Sequence, residues 1–227
     1  MKYLFFDLDG TLTIPYEGIS KSFIYALKAC GRKCPTEREL RLCIGPPLYD
    51  CFVNLFRMDG EEAEYAVKKY RERYHAVGWK ENELVPGAEE CLRALLAQGK
   101  ILAVATSKPK IFAERILQSF SLEKYITYVS GCGLDGSLGT KGAVIAHAMG
   151  VLGAPAGECA MIGDRHYDVE GAKECGIFAV GVRTGYAEEG ELERAGADAV
   201  FDTLNDVKEY FLKGGKGAGK GDKGAQV

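Results

Sequence analysis

Two aspartates one residue apart, Asp7 and Asp9, close the apolar run Tyr3–Phe6, and Gly10 and Thr11 follow at once in FFDLDGTLT. Like charges at the end of a buried strand repel each other unless a cation lies between them, and hard oxygen ligands at a partly hydrated site suit Mg²⁺. Three further segments carry groups that suit the same chemistry. Thr106-Ser107-Lys108-Pro109 follows the apolar run Ile101–Ala105 and offers an anion a hydroxyl and backbone N–H groups ahead of a helix. Gly139-Thr140-Lys141 precedes another helix and supplies a cation. Gly163-Asp164-Arg165-His166-Tyr167-Asp168 follows Cys159–Ile162 and adds carboxylates at a strand end. Each has a plain alternative: D-x-D-G-T a solvated strand end, Thr106 a helix cap, Asp164 a turn residue, Lys141 a surface charge. Together they bring acids, a metal site, a hydroxyl and a lysine to one predicted crevice.

That crevice exists only if the elements around it form a parallel sheet. Tyr3–Phe6, Ile101–Ala105, Cys159–Ile162 and Phe178–Val182 are short continuous apolar runs, with weaker ones at Ile126–Val129 and Ala199–Phe201. Runs of this kind predict strands covered on both faces. The segments Gly87–Gln98, Lys110–Ser119, Lys141–Met149, Val169–Glu174 and Asn205–Leu212 predict helices between and after them. Alternating strand and helix implies βαβ units and an α/β fold, a Rossmann-like parallel sheet flanked by helices. In such sheets ligands bind outside the carboxyl ends of the strands.

From Tyr16 to Glu83 the rhythm changes. Ser20–Ala29, Glu37–Cys43, Leu48–Phe56 and Glu61–Val77 predict four helices and no strand, with Thr36 as an N-cap ahead of Glu37 and Glu39. The expectation is an α/β core over 1–15 and 84–212, an inserted all-helical unit over 16–83, and a disordered tail over 213–227. That tail holds six glycines and four lysines and has no apolar face. Hinges are expected near Ile14–Tyr16 and Asn82–Pro86. The loop at Gly45-Pro46-Pro47 is either the tip of the insert, reaching the site, or a plain connector between helices.

Composition excludes several classes. The 227 residues carry 29 basic and 32 acidic side chains, a net charge of -3, without the basic excess of a nucleic-acid binder. No apolar stretch is long enough to span a bilayer. The first ten residues hold one lysine and then acids, unlike a signal peptide. Eight cysteines without a C-x-x-C pair fit reduced thiols, and the expected location is cytoplasmic.

FFDLDGTLT, AVATSKP, Lys141 and MIGDRHYDVEGAK together resemble the four motifs of the haloacid dehalogenase-like phosphohydrolases, over nearly the whole chain except the tail. The helical insert, with GISKSFIYALK and IGPPL, resembles the cap of the phosphoglycolate phosphatase and 5'-nucleotidase-like branch. The resemblance implies an Mg²⁺-dependent phosphatase acting on small phosphate monoesters, phosphoglycolate- or nucleoside-monophosphate-like. Asp7 would be the nucleophile and Asp9 the acid and base. Thr106, the N–H of Ser107 and Lys141 would hold the phosphoryl oxygens. The metal would lie among Asp7, the main-chain carbonyl of Asp9 and Asp164, with Asp168 in support. Gly45 and Pro46 of the cap would meet the leaving group. The implied partner is a small phosphorylated metabolite, with no nucleic acid and no membrane, and the chain is expected as a monomer or homodimer. Ile14 stands where many relatives carry an acid. His75 and Trp79 are expected as packing or surface residues, and Arg165 and His166 as residues that shape the loop of the fourth motif. The alternatives are a sugar-phosphate mutase of the same fold and a catalytically silent regulatory module.

Overall fold

A computed structural model describes residues 1–214; the expected tail lies, from residue 215 onward, outside the described residues. The chain begins with β1 (Tyr3–Phe6) and β2 (Thr13–Ile14). It then enters α1 (Tyr16–Ala29), α2 (Glu37–Leu42), α3 (Leu48–Asp50) with a π-turn over Cys51–Leu55, and α4 (Gly60–Ala76). After β3 (Glu83–Leu84) come α5 (Ala88–Ala97), β4 (Ile101–Pro109), α6 (Lys110–Ser119), β5 (Tyr128–Cys132) and α7 (Lys141–Leu152). The chain closes with β6 (Cys159–Gly163), α8 (His166–Glu174), β7 (Phe178–Val182), α9 (Glu191–Ala195), β8 (Ala199–Phe201) and α10 (Leu204–Leu212).

Six strands form one parallel sheet in the order β5-β4-β1-β6-β7-β8. The order reverses at β1, which pairs with β4 on one edge and β6 on the other. The alternation of the strands divides the core by face. Leu4, Phe6, Leu102, Val104, Ala160 and Ile162 pack with Leu92, Ile116 and Phe211 on one side. Tyr3, Phe5, Ala103, Cys159 and Met161 pack with Val144, Ile145, Val169 and Ala172 on the other. In register, Phe6 sits opposite both Val104 and Ile162, so Asp7 leaves the end of β1 between β4, which runs on, and the last residue of β6.

Several boundaries shift. β4 runs on to Pro109 and β5 starts at Tyr128, because β5 pairs with Ala103–Thr106 and again at Pro109 across an irregularity. The helix expected from Val169 begins at His166, since the Asp168 carboxylate accepts from the Arg165 N–H at 3.0 Å and caps it. A two-residue antiparallel pairing of Thr13-Ile14 with Glu83-Leu84 joins the segments that lead into and out of the helical insert. Two-residue strands carry no periodic signal, so the pattern alone does not reveal them.

Among the described residues, 16–82 hold only helices and turns. Thr36 caps α2 as expected: its hydroxyl accepts from Glu39 N–H at 3.3 Å while the Glu39 carboxylate accepts from Thr36 N–H at 2.7 Å. The insert has its own core of Ile19, Phe23, Leu27, Leu40, Ile44, Phe52, Tyr70 and Tyr74. Phe23 packs edge-on to Tyr70 with ring centroids 4.9 Å apart. Two residues of the α/β unit join this cluster, Phe112 as a buried member and Tyr186 packed against it. Phe112, on α6, meets Tyr74 edge to face at 5.2 Å and the His75 ring at 5.9 Å. Trp79 is partly buried against both the sheet core and the insert.

Removing the Phe112 ring leaves a cavity between the two units. We expect Phe112→Ala to lower the unfolding free energy by about 3 kcal/mol and to shift the urea midpoint accordingly. A change within error would mean that the ring does not join the two cores.

Candidate active site

The carboxyl edge of β1, β4 and β6 gathers Asp7, Thr106 and Asp164. Asp7 is buried, and its N–H donates to Ile162 O at 2.9 Å, which fixes it to the end of β1. Asp164 is fully buried; Thr11 Oγ1 donates to its Oδ1 at 3.1 Å and Tyr186 N–H to its Oδ2 at 2.9 Å. Gly10 makes the approach possible. Its φ of +85° favours glycine, and a Cβ there would stand 2.3 Å from Asp164 Oδ2. Gly163 does the same for Asp168, whose carboxyl carbon lies 2.1 Å from where a Cβ would be.

Asp7, Asp164 and Asp168 each offer one oxygen, and these lie within 4.8 Å of one another. Lys141, the first residue of α7, reaches in with its ammonium 2.9 Å from Asp7 Oδ1 and 2.8 Å from Asp168 Oδ1. Thr140 caps that helix, accepting from Ala143 N–H at 3.2 Å, so the lysine is aimed by the helix start. Neither of those two oxygens receives a well-aligned hydrogen bond. Three buried carboxylates against one ammonium leave negative charge in excess. Burial, with the charges of Asp168 and Asp7, raises the Asp164 carboxyl well above its ordinary range. Burial also pushes Asp168 up to about 6, against the pull of Lys141. Burial works to lower the Lys141 ammonium, but the carboxylates of Asp168 and Asp7 outweigh it and hold the group above its usual value. A hard divalent cation fits this donor set: anionic oxygens, two of them lacking an aligned donor, in a pocket of excess negative charge.

Asp9 stands apart from the trio. Its carboxylate ion-pairs with Lys108 and keeps one oxygen buried without a hydrogen bond. Burial raises its pKa, against the pull of the Lys108 ammonium. The carboxylate trio therefore excludes the Asp9 side chain, and only its backbone remains as the expected ligand. Thr106 is buried and accepts from Lys108 N–H at 3.2 Å. It is not a helix cap, because α6 starts four residues later behind Pro109.

A cavity of about 270 Å³ opens over this edge. Asp7, Asp9, Thr106, Ser107 and Lys108 form its floor, and Gly45, Pro46 and Pro47 are part of its wall. The opposite side is largely aromatic, with Phe23, Tyr49, Tyr70, Tyr74 and Phe112. The loop 45–47 is thus part of the cavity and not a remote connector.

Sequence reasoning passed over Lys108 and Tyr186 here and gave Arg165 no more than the shaping of its own loop. Lys108 was hidden inside T-S-K-P; it lies buried between Asp9 and the Tyr74 ring, its ammonium 5.1 Å from the ring centroid. Tyr186 serves Asp164 through its N–H, and its buried phenol, raised by burial and by Asp9 and Asp164, finds no hydrogen bond. Arg165 donates from Nη1 to Ile44 O at 2.8 Å. No local signal marks the last two, because their partners lie far away in the chain.

A parallel sheet carrying these acids on β1 and β6 and a hydroxyl on β4 has counterparts. Residues 4–182 match the model of the haloacid dehalogenase-like hydrolases, and the chain belongs to that family. It is 41% identical over 189 residues to a 5'-nucleotidase of Pseudomonas aeruginosa, covering 83% of this chain and 86% of that one. It is 37% identical over 206 residues to the tyrosine-protein kinase PtkA of Mycobacterium tuberculosis, covering 90% of this chain and 70% of the relative. The crystal structure of a predicted phosphatase from Clostridium acetobutylicum superposes with a TM-score of 0.89 at 38% identity, covering 93% of this chain and 98% of that one. The protein is a phosphatase of this family.

The raised carboxyls carry a stability signature. Asp168 ionises at 3.8 when unperturbed and at about 6 in the folded chain, so between those values the folded state holds the extra proton. Stability is then present at low pH and lost as pH rises through the folded value. Carboxyls with lowered values, such as Glu191 at about 2, have given their contribution by roughly pH 5. Between about pH 5 and 6 the metal-free protein should therefore lose thermal stability, less so in Asp168→Asn, and a divalent cation should restore it at neutral pH. A melting temperature that rises over this window, or ignores the cation, would contradict the charge account.

Proposed function

We propose that the protein is an Mg²⁺-dependent phosphatase that hydrolyses small organic phosphate monoesters through an aspartyl-phosphate at Asp7. The observation that carries this reading is the double membership of Asp7: it belongs to the carboxylate trio and also to the floor of the cavity. A carboxylate needs no base to become a nucleophile, but it must approach a phosphoryl group of its own sign. Asp7, Asp164 and the main-chain carbonyl of Asp9 would hold Mg²⁺, with Asp168 in support. When bound, the ion supplies charge neutralisation between the carboxylates and the phosphoryl oxygens.

The chain's own residues do the rest. Asp7 attacks phosphorus and the ester oxygen departs as an alcohol, leaving a phosphoryl group on the carboxylate. Asp9 gives that oxygen a proton, then takes one from the water that attacks the phosphoryl group and regenerates Asp7. Thr106 Oγ1, the Ser107 N–H and Lys141 position the phosphoryl oxygens, which is most of what phosphoryl transfer asks of a protein. Lys108 offsets the charge on Asp9 and lines the cavity beside it. The insert, through Gly45 and Pro46, limits bulk water over the site.

The aromatic wall supports a leaving group with a flat, partly apolar body, as a nucleoside has. Glycolate, small and anionic, would use little of it. A nucleoside monophosphate therefore suits the cavity better than phosphoglycolate, in line with the 5'-nucleotidase among the relatives. The partner implied is a soluble phosphorylated metabolite in the cytoplasm, with no role for nucleic acid or membrane. No helix among the described residues is long and apolar enough to cross a membrane.

In a phosphate-release assay with a nucleoside 5'-monophosphate and Mg²⁺, Asp7→Asn should cut turnover by at least about a thousandfold while leaving the circular dichroism spectrum unchanged. Comparable turnover in that variant would remove the covalent route. Chelation with EDTA should silence the wild-type protein and Mg²⁺ restore it; full activity in EDTA would remove the metal from the reading.

A further inference from the structure

Between Asp164, at the end of β6, and Asp168, in the first turn of α8, stands Arg165, a residue the chemistry above leaves unused. Its side chain is 9% exposed, and Glu191 holds it from behind, with Arg165 Nε 2.8 Å from Glu191 Oε1. The same carboxylate accepts from His166 N–H at 3.0 Å and Glu188 N–H at 3.0 Å, and lies 2.8 Å from His166 Nδ1. Glu191 is thus fixed by backbone and side chain before it meets the guanidinium. So clamped, Arg165 points Nη1 across to the insert and donates to Ile44 O at 2.8 Å, a bond buried from water. The adjacent Gly45 is in contact, since a Cβ there would lie 3.5 Å from Nη1. Ile44 is itself buried in the insert's core. Gly45, Pro46 and Pro47, which follow it, line the cavity. Among the described residues this is the one side-chain hydrogen bond that joins 84–212 to 16–83.

We propose that Arg165 is a positioning residue, a strap through which the acid-bearing loop of the sheet holds the Ile44–Pro47 loop against the leaving-group side of the cavity. The cap loop is then placed by the same segment that places Asp164 and Asp168, and bulky leaving groups are sorted against a wall held in register with the acids. A leaving group too small to reach 45–47 does not sense the strap. The inference rests on the phosphatase reading for its catalytic consequence, while the strap itself is a statement about structure.

Arg165→Met keeps the length and removes the donors. Activity is compared on uridine 5'-monophosphate and on acetyl phosphate, whose leaving group is far smaller, at saturating Mg²⁺, together with amide exchange at Ile44, Gly45 and Leu48. A buried hydrogen bond from a charged group carries the equivalent of a factor of roughly ten to a hundred. We expect kcat/KM for the nucleotide to fall by about that factor, mainly through KM, and for acetyl phosphate to change by less than about threefold. Exchange at the three amides should accelerate, and Arg165→Lys should recover part of both effects. Glu191→Gln, which keeps the guanidinium but weakens its clamp, gives the same pattern in smaller measure and serves if Arg165→Met fails to fold. Equal losses on both substrates would overturn the proposal in favour of a role confined to the acid loop, and unchanged nucleotide kinetics would overturn it outright. If the wild-type protein released phosphate from neither substrate, the phosphatase reading would fail, and unaltered exchange at the three amides would separately overturn the strap.

Discussion

The structure is organised around a repulsion. Three carboxylates, on Asp7, Asp164 and Asp168, are buried at the end of one sheet with a single ammonium, Lys141, between two of them. Burying charge is costly unless it is paired, and this cluster is paired only in part. The surrounding fold accepts that cost in visible ways. Gly10 and Gly163 give up side chains where the acids pass. Thr11 and the Tyr186 N–H are committed to Asp164, and Arg165 N–H to Asp168. Such arrangements are stable in the presence of a partner that the acids share, and a divalent cation is the partner their chemistry selects.

Around this centre the two units divide the work. The sheet fixes the acids, since β1 pairs in register with β4 on one edge and β6 on the other. The insert supplies an aromatic wall and the 45–47 loop, and closes the cavity from above. Contacts between them come from Phe112 and Lys108 on the β4–α6 side and from Arg165 and Tyr186 on the β6–β7 side. Lys108, Phe112 and Arg165 lie close in the chain to site residues, and Tyr186 donates its N–H to Asp164. A change in the insert's position is therefore felt near the acids, and the reverse holds too.

Much of this was legible in the sequence, and for identifiable reasons. Buried parallel strands are continuous apolar runs, so β1, β6 and β7 stand out; their ends mark the crevice, so Asp7 and Asp164 could be placed without coordinates. Thr36 and Glu39 gave away the start of α2 through local hydrogen bonds three residues apart. What escaped were features set by distant partners. Lys108 meets Asp9 from 99 residues away, and Arg165 meets Ile44 from 121. Nothing in T-S-K-P tells a lysine that starts a helix from one that turns back to an acid. The β2–β3 pairing was invisible because two residues show no period. Residues two apart on a strand share a face, so Asp7 and Asp9 read as neighbours, but β1 ends at Phe6 and the Asp9 carboxylate pairs with Lys108 instead.

The central claim is that the three carboxylates share one divalent ion. Crystals of the protein grown with Mn²⁺, as a stand-in for Mg²⁺, test it through anomalous difference density. The account predicts a single strong peak enclosed by oxygens of Asp7, Asp164 and Asp168, beside Lys141 and at the floor of the cavity. Density confined to the protein surface, with Lys141 still wedged between Asp7 and Asp168 and no ion among the acids, would contradict it.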